Sequence, residues 1–186
     1  MEITHKGNTL RIIRGIYNFN SVKEDTALTI GSFDGVHLGH QMVLNDLKAA
    51  ALKRGLKSAV MIFEPQPQEY FSGEKAPARL MRLRDKLKTF CDSGIDIVVC
   101  LRFDDSLRNL TADAFISIII NGLYAKHLII GDDFRFGCDR SGDFKMLQSS
   151  GKLNNFTVQQ MRTFDVDDKR VSSTSIRKAL IESKFD

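Results

Sequence analysis

The sequence predicts an α/β fold with a doubly wound parallel sheet of five strands. Short apolar runs, which are typical of buried strands, alternate along the chain with segments in which apolar residues recur at helical spacing. The chain has 186 residues, of which 42% are apolar, and this suits one domain with a proper core. We therefore expect residues 1–186 to form a single domain in which helices cover both faces of the sheet.

The first core strand and its helix are the clearest elements. Residues 27–30 form a short apolar run, and Gly31, Gly35 and Gly39 then mark a tight loop. From about residue 40 the apolar residues change to helical spacing and define one buried face. The residues on that face are Val43, Leu44, Leu47, Ala50 and Ala51. The stretch predicts strand, glycine loop and helix.

The same alternation continues to the end of the chain. Further strands are predicted at 58–63, 95–101, 126–131 and 156–161, and helices at 78–90, 111–122, 143–150 and after residue 172. Thr111 and Asp143 are the expected N-caps of two of these helices. His127 is expected to be a core or edge histidine without a catalytic role. Residues 1–9 are polar and predict a loosely attached end, and residues 10–19 predict an edge strand.

Composition argues against two classes of partner. The net charge of +4 is spread along the chain without a block of Lys and Arg, so no nucleic acid is expected. No apolar run approaches the roughly 18 residues that cross a bilayer, so no membrane is expected. The three cysteines are an odd number without metal-like spacing, which favours a reducing cytoplasm.

Two histidines lie where the glycine loop enters the first helix. A helix start presents free backbone N–H groups and the positive end of the helix dipole, and is therefore a ready site for phosphate. His37 and His40 add donors at that end, and Asp34 precedes them. A single histidine there would be interpreted as a solvated helix cap. Two at the spacing His-x-Gly-His favour a phosphate site.

A rigid turn follows the second core strand. Pro65 and Pro67 prevent either the strand or a helix from continuing across the turn. Ligands usually bind at the carboxyl ends of parallel strands, but a simple strand-ending turn would look the same. On physical grounds both interpretations stay open.

Residues 131–142 follow the strand at 126–131 and are rich in functional side chains. Asp132 or Asp133 could hold Mg²⁺ or a ribose hydroxyl, and Phe134 and Phe136 could stack on a flat ring. Arg135 and Arg140 could clamp a phosphate. An ordinary polar loop anchored by phenylalanines is the alternative.

The last segment of interest begins the final helix. Ser172, Ser173 and Thr174 are good N-cap residues, and the same hydroxyl and N–H groups can bind phosphate. Arg177 lies one turn into the helix, from which it could reach the same phosphate.

Taken together, these segments resemble the bacterial FAD synthetases, which are the adenylyltransferase module of bifunctional riboflavin kinase/FMN adenylyltransferases. The matching motifs are Gly-Ser-Phe-Asp-Gly-Val-His-Leu-Gly-His at 31–40, Phe-Glu-Pro-Gln-Pro at 63–67, Gly-Asp-Asp-Phe-Arg-Phe-Gly at 131–137 and Ser-Ser-Thr-Ser-Ile-Arg at 172–177. The resemblance spans about residues 10–180. It implies a Rossmann-like nucleotidyltransferase fold of the His-x-Gly-His type.

The resemblance also implies a reaction, namely transfer of AMP from ATP to FMN to give FAD and pyrophosphate, with Mg²⁺ held mainly through the ATP phosphates. It implies that His37, His40 and Arg177 act in catalysis. The ATP site would contain Gly31, Ser32, Phe33, Asp34, Gly39, His40, Ser172, Ser173, Thr174 and Arg177, and the flavin site would contain Phe63, Pro65, Pro67, Asp133, Phe134, Arg135 and Phe136.

Two other functions stay open at this stage. One is an adenylyltransferase for another acceptor such as phosphopantetheine, which would not need the Phe-Arg-Phe loop. The other is a non-catalytic flavin- or nucleotide-binding module, which would not need two histidines for a transition state. The riboflavin kinase domain that normally accompanies this family is expected to be absent from these residues, and could be covalently linked in a longer protein.

Overall fold

The computed structural model describes residues 1–161, 165–166 and 169–183. Its strands form one seven-stranded sheet and a separate antiparallel pair. The seven are β1 (Glu2–His5), β2 (Asn8–Arg14), β3 (Thr26–Ile30), β4 (Lys57–Glu64), β5 (Ile97–Arg102), β6 (Ala125–Ile130) and β7 (Thr157–Gln160), and the pair is β8 (Asp165–Val166) and β9 (Lys169–Arg170).

The order of the large sheet is β1-β2-β5-β4-β3-β6-β7. Every neighbouring pair is parallel except β1 with β2, which is antiparallel. The α/β fold class and the five predicted core strands, β3 to β7, are confirmed. The count of five was wrong, because two amino-terminal strands extend the same sheet.

The amino-terminal segment is a β-hairpin and not the loose end that was expected. Residues Glu2 to His5 pair with Asn8 to Arg11, and β2 then pairs with β5 on its other side, so β2 is an inner strand and not an edge. Exposure alternates along β1, as expected for a strand with one solvated face. The polar composition of residues 1–9 therefore reflects the outer strand of a sheet.

The described chain contains seven α-helices. They are α1 (Leu38–Arg54), α2 (Pro67–Ser72), α3 (Leu83–Asp92), α4 (Asp105–Arg108), α5 (Ala112–Ser117), α6 (Phe144–Asn154) and α7 (Ser173–Ile181), with a π-helical turn at Ile118–Gly122 after α5. Three predicted N-caps are confirmed, since the side chains of Thr111, Asp143 and Ser172 each accept a backbone N–H bond. Gly55 ends α1 in the left-handed conformation.

The helices cover both faces of the sheet. Leu44 and Leu47 of α1 and Phe90 of α3 pack on one face, and Phe115 of α5 and Leu147 of α6 pack on the other. Successive residues of a strand point to opposite faces, so the inner strands are apolar along their whole length. The predicted three-layer arrangement is therefore confirmed.

The predicted helix at 78–90 begins five residues late, at Leu83. Its first turn does not form because the backbone N–H groups of Leu80 and Met81 are held by the carboxylate of Asp34 from a distant loop. The side chain of Arg79 forms ion pairs with Glu64 and Glu69 instead. Tertiary contacts override local helical preference here.

His127 is a core residue, as expected. It is buried on β6, and its Nδ1 atom lies 2.7 Å from the hydroxyl of Thr157 on β7. Burial lowers the pKa of its imidazole. None of the described helices is both long enough and apolar enough to cross a membrane.

Candidate active site

The two histidines of the glycine loop lie face to face at the start of α1. His37 is the N-cap residue, and His40 lies in the first turn of the helix. Their ring centroids are 3.7 Å apart with the planes 22° from parallel. The helix start and both imidazoles therefore converge on one place, as the spacing predicted.

The loop before these histidines has an uncommon backbone that its side chains hold in place. Phe33, Gly35 and Val36 all have positive φ angles, which are costly for Phe and Val. Both of these side chains are buried, and the ring of Phe33 packs edge-on against Phe90 of α3 and next to His40. Core packing thus fixes the position of the histidine loop.

Both histidines are neutral at physiological pH. Burial lowers the pKa of His40 to about 3, and the charge of His37 when it is protonated and that of Lys86 act in the same direction. Burial also lowers the pKa of His37, although the carboxylate of Asp34 opposes that shift. Each Nδ1 atom is buried and has no hydrogen-bond partner in the part of the chain that the structure describes. A neutral imidazole can donate one N–H to a phosphate oxygen without first releasing a proton.

Asp34 joins this loop to two other parts of the chain. Its side chain is 3% exposed and accepts backbone N–H bonds of 3.1 Å from Leu80 and Met81. It also accepts a bond of 2.5 Å from Nη2 of Arg177 on α7. One buried carboxylate therefore holds three segments together, and this set of contacts is here named the Asp34 clasp.

The start of α7 lies directly against the histidine loop. The hydroxyl of Ser173 donates to the backbone carbonyl of Asp34 at 2.9 Å. Nε of Arg177 donates to the carbonyl of Ala78 at 2.7 Å. Thr174 is exposed beside them. The structure thus brings together the two segments that were predicted to bind phosphate, with Arg177 bonded to protein groups and not free.

Arg79 completes the support of residues 78–82. It forms ion pairs with Glu64, at the end of β4, and with Glu69 of α2. These bonds raise the pKa of the Arg79 guanidinium and lower that of the Glu69 carboxyl. The proline turn, residues 78–82 and the histidine loop are therefore one connected structure.

A second part of the site is an aromatic cavity of about 460 Å³. The ring of Phe103, just after β5, packs against Phe63, Tyr70 and Phe71 with centroids 6.0, 5.3 and 5.7 Å away. The residues that line it are Phe63, Pro67, Phe71, Phe103, Leu107, Arg108, Leu110, Phe115, Phe134, Arg135, Phe136, Gly137, Cys138 and Arg140. Flat rings with arginines around them suit a planar ligand that carries negative charge.

Phe134 and Phe136, which follow β6, form one wall of the aromatic cavity. Their rings lie 5.6 Å apart and 26° from parallel. Phe136 exchanges two backbone hydrogen bonds with Gly142, at 3.1 and 3.0 Å, which closes the loop into a small β-bridge. A Cβ on Gly142 would lie 2.4 Å from the Phe136 ring, so only glycine fits at this position.

The cavity contains most but not all of the predicted flavin residues. Phe63, Pro67, Phe134, Arg135 and Phe136 line it, whereas Pro65 and Asp133 are exposed and do not. The sequence analysis missed Phe71 and Phe103 in particular. Phe103 could have been found, because it follows a strand at the same carboxyl edge of the sheet.

The histidine loop and the aromatic cavity lie at one edge of the sheet but towards opposite faces. Phe33 belongs to the core under α1 and α3, whereas Phe115 and Phe136 belong to the core under α5. Between them run the carboxyl ends of β4, β3 and β6. The structure is thus an α/β domain that has a two-histidine helix start and an aromatic cavity at the same edge of its sheet.

Comparison with known proteins identifies the family. The model of the FAD synthetase family matches residues 19–175. The chain belongs to the FAD synthetase family, and the resemblance noted in the sequence is confirmed.

Named relatives agree with this assignment. The chain is 49% identical over 172 residues to the bifunctional riboflavin kinase/FMN adenylyltransferase of Haemophilus influenzae, covering 92% of this chain and 56% of the relative. It is 47% identical over 178 residues to the protein of the same name from Escherichia coli K12, covering 95% of this chain and 57% of the relative. The chain therefore spans little more than half the length of these relatives.

A solved structure supports the fold alone. The crystal structure of a macrolide-efflux protein from Streptococcus pneumoniae superposes with a TM-score of 0.78 at 23% identity, over 94% of this chain and 58% of that one. The likeness confirms the arrangement of helices and strands described above.

The Asp34 clasp predicts a large effect of a small substitution. Asp34→Asn keeps the shape of the side chain but leaves the Arg177 guanidinium without its charged partner in a largely buried place. We expect the free energy of unfolding to fall by about 3 kcal/mol, measured by urea denaturation. Asp46→Asn, at an exposed position of α1, is the matched control and should change it by less than about 0.5 kcal/mol. Equal effects of the two variants would contradict the clasp.

Proposed function

We propose that this chain is an FMN adenylyltransferase, which transfers AMP from ATP to FMN and releases pyrophosphate. The observation that carries the proposal is the pairing of a two-histidine helix start with an aromatic cavity at one sheet edge, in a chain of the FAD synthetase family. The activity in the names of the relatives supports the same reaction.

The chemistry needs no protein nucleophile. An oxygen of the FMN phosphate attacks the α-phosphorus of ATP, a new P–O bond forms, and the bond to the β-phosphate oxygen breaks in line with it. The electron pair of that bond leaves with pyrophosphate. Catalysis then consists of positioning two anions and stabilising the charge that builds up on the α-phosphate.

In this proposal His37 and His40 donate to the α-phosphate oxygens. They are stacked at the positive end of the α1 dipole, and they are neutral because of burial. Gly31, Ser32, Phe33, Asp34 and Gly39 shape the loop on the adenylate side. Asp34 acts on this loop indirectly, because the contacts of the Asp34 clasp hold the loop in place.

The start of α7 is proposed to bind the β- and γ-phosphates. Ser172, Ser173 and Thr174 lie at its amino end, where the positive end of the helix dipole favours an anion. Arg177 has Nε and Nη2 bonded to protein groups, and its Nη1 has no hydrogen bond among the described residues. That remaining donor is the one we assign to phosphate.

Mg²⁺ is proposed to arrive with ATP as part of the substrate. The described residues contain no group of three or more His, Cys, Asp or Glu side chains arranged to hold a metal ion. The phosphates themselves would supply most of the ligands, as Mg²⁺ commonly binds in nucleotide sites.

The aromatic cavity is proposed to bind the flavin ring. Its volume of about 460 Å³ and its phenylalanine walls suit a planar tricyclic group, and Arg135 and Arg140 lie where they could meet its phosphate tail. A phosphopantetheine acceptor has no flat ring, so the cavity favours FMN over that alternative. The two histidines favour an enzyme over a binding module.

Other properties of the full protein are also proposals. The greater length and the names of the relatives support a covalently linked riboflavin kinase domain as a partner of this one. Cys91, Cys100 and Cys138 are free thiols, which supports a reducing location such as the cytoplasm.

The reaction is tested directly by incubating the chain with ATP, Mg²⁺ and FMN and separating FAD by chromatography. We expect FAD and pyrophosphate in equal amounts. His40→Ala should lower kcat by about 100-fold or more because a donor to the transition state is lost, while ATP binding is largely kept. His5→Ala, in the amino-terminal hairpin, is the control and should retain full activity. Absence of FAD with the unaltered chain would refute the proposed function.

The flavin assignment predicts a selective effect at Phe103. Phe103→Leu removes an aromatic face from the cavity but keeps an apolar side chain. We expect KM for FMN to rise about fivefold, with KM for ATP unchanged, in steady-state assays. Tyr17→Leu changes an exposed aromatic residue outside the cavity and should alter neither value. A rise in KM for ATP alone would place the flavin elsewhere.

A further inference from the structure

A buried lysine lies beneath the histidine loop. Lys86 of α3 is 1% exposed and is one of the largest fully buried side chains among the described residues. Its neighbours on the same helix, Arg84, Asp85 and Lys88, are exposed, as is usual for charged residues. Transferring an ammonium group out of water costs free energy unless other groups compensate for it. Its presence here calls for a specific reason.

The Lys86 ammonium has one hydrogen-bond partner among the described residues. Nζ donates to the backbone carbonyl of Ser32 at 2.6 Å. Among the residues that the structure describes, no carboxylate oxygen lies within 4.0 Å of it. The neighbouring carboxylates are already occupied, since Asp34 binds Arg177 and Glu64 binds Arg79. Lys86 is therefore a buried cation without a contacting counterion.

Nearby carboxylates favour the charged form of Lys86, in opposition to its burial. Burial lowers the pKa of its ammonium, but the more distant carboxylates of Asp34 and Glu64 act to raise it. The hydrogen bond that it donates goes to a neutral carbonyl, which leaves the positive charge uncompensated at short range. Because charges act over longer distances in a low dielectric, this cation influences the groups around it.

The charge of Lys86 acts on the proposed position of the α-phosphate. Ser32 belongs to the loop between β3 and α1, and Lys86 is close enough to His40 to lower its pKa. Phe33 packs both on His40 and on Phe90, one turn after Lys86 in α3. The lysine thus lies behind the histidine loop, on the side away from solvent.

We propose that Lys86 is a positioning residue for the adenylyl transfer. Its hydrogen bond to Ser32 fixes the loop that carries His37 and His40. Its unpaired charge adds to the positive potential that stabilises the transition-state phosphate, without contact with the substrate. This inference rests on the proposed function.

The proposal separates the effect on catalysis from the effect on stability. Lys86→Met keeps the length of the side chain and removes the charge. Because an unpaired buried charge is replaced by an apolar group, the melting temperature should stay the same or rise. We expect kcat for FAD formation to fall about tenfold, with KM for ATP and FMN changing less than about threefold. A purely structural lysine would give the opposite result, a lower melting temperature with kcat maintained.

A second variant distinguishes the hydrogen bond from the charge. Lys86→Gln keeps an N–H donor for the Ser32 carbonyl but has no charge, and we expect it to lose kcat as Lys86→Met does. Lys86→Gln also tests the role of the charge if Lys86→Met fails to fold. Lys88→Met, exposed on the same helix, is the matched control and should behave like the unaltered chain.

The outcomes are distinguishable from one another. If the unaltered chain and Lys88→Met form no FAD, the proposed function fails and this inference fails with it. If they form FAD and both Lys86 variants match them in kcat, only the inference on Lys86 is overturned. If Lys86→Gln restores full kcat while Lys86→Met does not, the hydrogen bond acts alone and the proposed role of the charge is wrong.

Discussion

The interaction on which the rest of the site depends is the contact of the Asp34 carboxylate with three separate segments. It holds the backbone N–H groups of Leu80 and Met81 and the guanidinium of Arg177, while its own backbone carbonyl accepts from Ser173. A carboxylate this deeply buried is stable only when its bonds are satisfied. The start of α7 therefore cannot move away from the histidine loop without exposing or unpairing this group. Both proposed phosphate-binding segments are placed by one side chain.

The division of the sheet edge into a polar part and an aromatic part follows from the two faces of the sheet. Residues that alternate along β3 and β4 build one core under α1 and α3 and another under α5 and α6. The loop after β3 turns to the first core and carries neutral histidines. The loop after β6 turns to the second and carries phenylalanines. An acceptor whose ring lies in the aromatic cavity would direct its phosphate across the strand ends to the nucleotide, which is how a sheet of this type commonly joins two ligands.

Much of this arrangement could be predicted from the sequence, and the exceptions have physical causes. The core strands, the N-caps Thr111, Asp143 and Ser172, and the histidine loop are specified by local patterns, and all are found. The start of α3 could not be predicted because Asp34, more than forty residues earlier, takes the N–H groups of its expected first turn. Phe103 belongs to none of the motifs, and its position after β5 at the carboxyl edge of the sheet was the one signal that could have pointed to the cavity. The burial of Lys86 was likewise hidden, since it lies in a run of charged residues that are exposed.

The claim that Asp34 organises the site before any ligand binds can be measured by amide hydrogen exchange. The N–H groups of Leu80 and Met81 lie outside any helix or strand, and their one partner among the described residues is the Asp34 carboxylate. We expect both to be strongly protected, and to lose that protection in Arg177→Gln, which removes the charge that holds the carboxylate in place. Exchange of both groups at the rate of an open loop in the unaltered chain, without ATP or FMN, would contradict the account.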